Sequence, residues 1–256
     1  MMLIRLQLAC FVLALLPPYT VSDRVLQVGS TNYGKAQAAK SEGTIDPLPI
    51  RLTNPTFSKE AKKTKARGQI VLSIHITTDG TVSDASVVSG KPGLIDSALR
   101  AVRQWHYLPA MHNGEFVEAT KEITINYDFG KNSSQPEELA RGDLSDPPQD
   151  LLKDVAEGKV FRVGVGSGMA VPRAVLDPDP AYTEEGRRDR FRGQVLLGVV
   201  VGADGQPRDV WVVRALGHGL DLASVNTVKH WRFSPATRNG EPVAIVLNVE
   251  TSFDIY

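Results

Sequence analysis

The side chains able to do chemistry are few, and their spacing does not serve it. The five histidines are His75, His106, His112, His218 and His230. None forms a His-Glu-x-x-His pair, which would set two imidazoles on one helix face around a metal. None stands beside a nucleophile signature. His75 alternates outward on an expected strand, and His112 and His218 fall in expected loops. The carboxylate pairs Asp79/Asp84 and Asp204/Asp209 have a spacing that could admit a cation, but Asp before Gly is the ordinary choice for a tight turn. Gly164, Gly166 and Gly168 look like a phosphate loop only superficially. Pro172 keeps a helix from following closely, and there is no Lys-Ser/Thr pair. Cys10 is the only cysteine, so a chain that has lost its N-terminus has no thiol for disulfides, zinc or catalysis. The expectation is a protein that is not an enzyme, with no catalytic residue, no metal site and no cofactor.

The chain has 256 residues, a formal net charge of zero and 42% hydrophobic residues. That length suffices for one or two domains. The balanced charge argues against a nucleic-acid partner, which selects for a basic excess. Arg5, then Leu6 to Leu16 broken only by Gln7, then Pro17, Pro18, Thr20 and Ser22, have the order of an export signal. The apolar run is short of the about 20 residues that span a bilayer. Residues 1–22 are therefore read as a signal peptide or a short anchor, and 23–48 as an N-terminal linker.

The elements that must position any functional group are written twice. "PTFSKEAKK" from Pro55 matches "PAYTEEGRR" from Pro180, and Arg67 aligns with Arg192, an offset of 125 in both cases. "GLIDSALRAVRQW" from Gly93 matches "GLDLASVNTVKHW" from Gly219, an offset of 126. The extra residue falls between Val213 and Gly219, in a loop, where it moves no strand side chain to the wrong face.

Each copy reads α-β-β-α-β. Ile70, Leu72, Ile74 and Ile76 alternate with Val71, Ser73, His75 and Thr77, which predicts a strand with one buried face. Asp79-Gly80 and Asp204-Gly205 predict hairpin turns. A second strand follows, with Ala85 and Val87, or Val210 and Val212, directed inward. Leu94, Ala98, Val102 and Trp105 then share a helical face, as do Leu220, Ser224, Val228 and Trp231. Pro109 and Pro235 stop the helix, and Asn113-Gly114 and Asn239-Gly240 turn into a long last strand. Short basic helices come first, near 58–66 and 183–191. Their Lys59, Lys62, Lys63, Lys65 and Arg67, against Arg187, Arg188, Arg190 and Arg192, form a solvated face or meet an acidic envelope surface. The two tryptophans are read as core. Between the copies, 131–158 is polar and reads as linker, with a brief helix at 150–157. The expected class is α+β, with domains at 49–130 and, including an entry segment, at 159–256.

Together these motifs resemble the TonB C-terminal domain, twice over. The matching features are the Pro-x-aromatic segment before a basic helix, "RGQ" opening a strand, "DG" with a following Asp, "VV" closing the second strand, and the "W-[RH]-[FY]-x-P-A" block. The resemblance implies two helices on a three-stranded antiparallel sheet, a periplasmic location or an inner-membrane anchor facing the periplasm, and transport as the setting. It implies partners among outer-membrane TonB-dependent receptors or other envelope proteins, held when an extended segment pairs with an edge strand. Inner-membrane motor proteins are a further implied partner; an alternative reading is a structural self-association module, in which the edge strands pair with each other in a homodimer. The edge strands would be 117–129 and 243–255, with Phe57, Tyr182, Val243, Ile245, Leu247 and Val249 as partner-binding candidates. The chain departs from the family in its short N-terminal run without His, in lacking a Pro-rich spacer, and in having Phe57-Ser58 and Tyr182-Thr183 where Tyr-Pro is common. Strand capture is therefore expected ahead of energy transduction. Two copies on one chain imply avidity or a scaffold.

The copies differ on the outward sheet face. Copy one presents Val71, Ser73, His75, Ser86 and Val88. Copy two presents Leu196, Gly198, Val200, Trp211, Val213 and Val246. So large an apolar face marks an interface. Leu196, Val200, Trp211 and Val213 are expected to pack on the other copy, on the entry segment or on a second chain.

Overall fold

The computed structural model describes residues 44–63, 65–127, 146–163 and 169–254. The export signal, the glycines 164, 166 and 168, and the strand ends at Phe129 and Ile255 lie outside the described residues. So do most of 23–48 and the first part of 131–158.

The first copy runs β1 (Thr44–Ile45), β2 (Leu48–Arg51), α1 (Lys59–Lys63), β3 (Gly68–Ile76), β4 (Val82–Gly90), α2 (Pro92–Val102), β5 (His106–Leu108), β6 (Ala110–His112), β7 (Glu115–Val117) and β8 (Ala119–Tyr127). After α3 (Leu151–Ala156) and β9 (Phe161–Arg162), the second copy repeats the order. It has β10 (Met169–Ala170), β11 (Ala174–Leu176), α4 (Glu184–Arg188), β12 (Gly193–Val201), β13 (Pro207–Arg214), α5 (Leu220–Val228), β14 (Arg232–Phe233), β15 (Ala236–Arg238), β16 (Glu241–Val243) and β17 (Ile245–Phe253). The class is α+β, with several small antiparallel sheets.

The main sheet of copy one has the order β4-β3-β8. Its alternation is clean: Ile70, Leu72, Ile74 and Ile76 are fully buried, while Val71, Ser73 and His75 are half-exposed. Copy two differs from the three-stranded expectation, because its sheet is β13-β12-β17-β9. The fourth strand, β9, comes from the chain between the copies and runs parallel to β17. The expected long last strands are each interrupted. The Asn-Gly turn closes a small hairpin, β6-β7 or β15-β16, and the long strand starts one residue later. Asn113 and Asn239 take φ of 52° and 53°, which Asn tolerates and a branched residue does not.

Two repeated contacts explain the repeated motif. Both tryptophans lie just beyond their helices rather than on them, and both are buried. Trp105 Nε1 donates to Thr53 O at 2.9 Å, and Trp231 Nε1 donates to Pro178 O at 3.0 Å. Each indole thus pins the segment ahead of the short basic helix. The residues two further on reach the hairpin turn. Tyr107 N donates to Gly80 O, and Phe233 N to Gly205 O. Both glycines have positive φ, and a Cβ would stand 1.9 Å from Tyr107 O or 2.1 Å from Phe233 O. Only glycine lets these carbonyls approach so closely.

The second expected strand holds its inward pattern in copy two, where Val212 is buried, and loses it in copy one, where Val87 is exposed. Both copies carry the same register shift, between Val71 and Leu72 and between Leu196 and Leu197, with Val88 or Val213 as the extra residue, so the bulge does not cause this difference. The polar stretch between the copies also buries more than its composition implies. Leu151, Val155 and Val160 join the same apolar cluster as the core of copy one. No described helix is long and apolar enough to cross a membrane.

Candidate functional site

The two long final strands, β8 and β17, are the candidate partner-binding edges. Each pairs along its whole length with the strand opening its copy. β8 pairs with β3 and β17 with β12. Their last residues are aromatic and are held by the residues that the repeat places opposite them. Phe57 meets Tyr127 edge-on at 5.4 Å, and Tyr182 meets Phe253 edge-on at 5.2 Å. Tyr182 also donates its hydroxyl to Phe191 O at 3.1 Å.

These positions change the meaning of the partner-binding candidates. Phe57, Ile245, Leu247 and Val249 are buried, and Val243 and Tyr182 are half-buried against the core of copy two. Their side chains face the helices because alternation on β17 sends every second residue inward. A partner pairing with this strand would meet main-chain groups there, not these side chains.

The outer edges of the two strands are unlike. β17 already has a neighbour at its start: β9 pairs with Ile245 and Val246, and Phe161 N donates to Ala244 O at 2.9 Å. The Arg238 guanidinium lies 4.9 Å above the Phe161 ring. Arg162 is buried, and its guanidinium donates to Pro109 O and Asp46 O, both in the first half of the chain. Burial pushes its pKa down to about 10, so it remains charged near neutral pH. On β8, β3 is the only paired strand among the described residues.

The outward face of the copy-two sheet is covered. Leu196, Val200, Trp211, Val213 and Val246 are buried in one cluster with Leu48, Ile50 and Leu52 of copy one. Hydrogen bonds cross the contact. Trp211 Nε1 donates to Ile50 O at 2.9 Å, Leu52 N to Val213 O at 2.7 Å, Asn54 Nδ2 to Ala215 O at 2.9 Å, and Asn248 Nδ2 to Pro49 O at 3.0 Å. Asn54 and Asn248 were missed in the sequence, because a lone amide on a strand or in a loop carries no signal of its partner. Gly198 is the glycine this face requires. A Cβ there would lie 2.1 Å from the Trp211 ring. In copy one the corresponding pair is Ser73 and Ser86, which neither needs nor makes that space.

One chemical cluster was not foreseen. Nδ1 of His218 lies 3.5 Å from Glu185 Oε1 and 3.5 Å from Asp189 Oδ2, and the three ligand atoms fall within 4.8 Å of one another. Glu185 and Asp189 share a face of α4 one turn apart. His218 sits in the loop that carries the inserted residue, and its carbonyl accepts from the Thr183 hydroxyl at 2.6 Å. Arg188 donates to Asp189 and holds that carboxyl below its ordinary range. The arrangement sets the His218 ring against the carboxylates of Glu185 and Asp189. Asp221 organises the same loop, taking Leu216 N and Gly217 N at 2.7 and 2.8 Å. Burial pushes its carboxyl up, against the pull of those two donors.

Asp79 accepts from Thr77 and Thr81, and these bonds hold its carboxyl below the usual range, as expected of a turn residue. Asp204 likewise accepts from Gln206 N. Both therefore spend their oxygens within their own turns.

Comparison with known proteins accords with this geometry. Residues 53–129 and 178–255 each match the family described as the Gram-negative bacterial TonB protein C-terminal, and together they make up more than half of the chain. A curated relative, the protein TonB2 of Pseudomonas aeruginosa, is 41% identical over 63 residues, which is 24% of this chain and 23% of the relative. The chain thus spans about a quarter of that relative's length. A solution NMR structure of the Pseudomonas aeruginosa TonB C-terminal domain aligns with 38% of this chain and 95% of its own, at 19% identity and a TM-score of 0.29. The chain belongs to the TonB C-terminal domain family and carries two copies of that domain.

Proposed function

We propose that this is a periplasmic, non-enzymatic protein of TonB-dependent transport that captures extended segments of outer-membrane transporters, or of other envelope proteins, through the outer edge of β8. The observation that carries this reading is the difference between the two edges. β8 has one paired strand among the described residues, whereas the start of β17 is already occupied by β9. An unpaired edge offers a row of main-chain donors and acceptors, and an extended peptide can satisfy them at little cost in side-chain specificity. Copy one is therefore the capturing copy, and copy two supports it.

Hydrogen exchange in the presence of synthetic transporter-derived box peptides tests this. The expected result is slowed exchange confined to 119–127. Slowed exchange at 245–253 instead, or no binding at all, would overturn it. The intact mass of the protein from the envelope tests its location. Loss of about 20 N-terminal residues would fit a periplasmic protein. A full-length mass in the membrane fraction would turn the reading to an anchored energy transducer.

A further inference from the structure

Among the described residues the large exposed apolar side chains are Val87, Val88, Val171, Val175, Leu176 and Leu222. Four of them fall on two strips, Val87–Val88 at an edge of copy one and Val175–Leu176 on β11 of copy two. The repeat gives these strips a meaning. Val88 is the counterpart of Val213, and Val175 is the counterpart of Ile50. Val213 and Ile50 are the two sides of the internal contact between the copies, and they are 2% and 4% exposed. Val88 and Val175 are 52% and 71% exposed.

The internal contact is directional. Copy two gives β13 and its outward face, and copy one gives the segment 49–54. Copy one therefore still carries the strand equivalent to β13, which is β4. Copy two still carries the segment equivalent to 49–54, which begins at β11. Each end of the molecule holds half of a contact that the middle has completed.

We propose that a second copy of this chain docks its β4, at Ser86–Val88, on β11 and the following residues of the first, repeating between chains the contact made within each chain. In this register Val88 meets Val175, and Val88 O faces Asp177 N as Val213 O faces Leu52 N. Asp179 stands where Asn54 stands in the internal contact, and Gly90 where Ala215 stands, so the amide bond of the internal contact has no counterpart here. The contact is heterologous, so repeating it adds chains head to tail. It lacks an indole anchor, because Ser86 occupies the place of Trp211. The association is accordingly weak.

Sedimentation of the purified chain over a concentration series tests the proposal. The mean mass should rise continuously with concentration, without a plateau at dimer. Val88→Asp and Val175→Asp should each abolish the rise. Both positions are exposed, so circular dichroism should show both variants folded. Mixed in equal amounts they should form a one-to-one complex and nothing larger, because each keeps the surface that the other has lost. A chain that stays monomeric at every concentration, a closed dimer that survives both substitutions, or a mixture that stays monomeric would each overturn it. Peptide capture at β8 lies on the opposite side of the sheet from β4, so both variants should retain it, and failure of one reading is distinguishable from failure of the other.

Discussion

The two copies have one element order and two kinds of surface. On the outward face of copy one, His75 contacts Thr120 at 3.3 Å and Glu118 at 3.2 Å, and Ser73 pairs with Ser86 and Glu122. At the same register copy two has Val200, Val246, Gly198, Trp211 and Asn248. The polar face stays in water, and the apolar face is driven onto copy one. A Trp buries roughly 200 Å², worth on the order of 5 kcal/mol as an upper figure at the usual coefficient. The lesson is that duplication preserved the framework while a few outward residues decided which copy docks and which remains available. The conserved machinery of the repeat, with its tryptophans and glycine turns, lies on the other side of the sheet and is alike in both.

The largest effect expected to break this comparison is Trp211→Ala. It removes a buried indole and leaves Ile50 O without its donor, and should cost about 3–5 kcal/mol in a urea titration. The counterpart Ser86→Ala should change stability by no more than about 0.5 kcal/mol. Equal effects at the two positions would mean that the face does not hold the copies together. The next test looks for sameness. Trp105→Phe and Trp231→Phe each delete the bond that pins the preceding segment, to Thr53 O or to Pro178 O. Each should cost about 1–2 kcal/mol in lost hydrogen bonding and volume, and the two costs should match. A large inequality would show that the two frameworks are not energetically equivalent.

The smallest effect sharpens the contrast at the inserted loop. Asp221 has no counterpart in copy one, where Ile95 stands. Burial raises its carboxyl, so the folded state holds the proton more tightly than the unfolded chain. Its contribution is fully present below the ordinary carboxylate pKa and is lost as pH rises through the raised value. Stability measured against pH should fall across that interval in the natural protein and stay flatter in Asp221→Asn. An identical slope in the variant would assign the effect to another group.

Much of the core was legible because period and turn chemistry are local. The alternation at Ile70 to Ile76 predicts a buried strand face, and that face is buried. The Asp-Gly and Asn-Gly pairs mark turns by their tolerance of positive φ. Other features were illegible for an equally physical reason. Val87 has an apolar type in an inward position and is exposed, although its counterpart Val212 is buried at the same register. Phe161 and Arg162 lie in the strand-like entry segment but form too short a stretch to show periodicity, so nothing in the sequence says that they pair with β17. The candidate residues on β17 were named for lying on the expected edge, but the edge of a strand is its backbone, and their side chains belong to the core.

The sequence by itself determined the duplication, the family, the core pattern of each copy and the apolar character of the copy-two face. Each of these is a property of residue type and spacing. Only the tertiary structure decided that β9 would cover the start of β17, that segment 49–54 would lie under Trp211, and that β8 would keep a single paired strand among the described residues. Those outcomes depend on main-chain carbonyls meeting donors across distances of up to about 200 residues in the chain, as Pro49 O meets the Asn248 side-chain amide. Every residue carries the same main-chain donor and acceptor, so no residue type announces which partner its backbone will find.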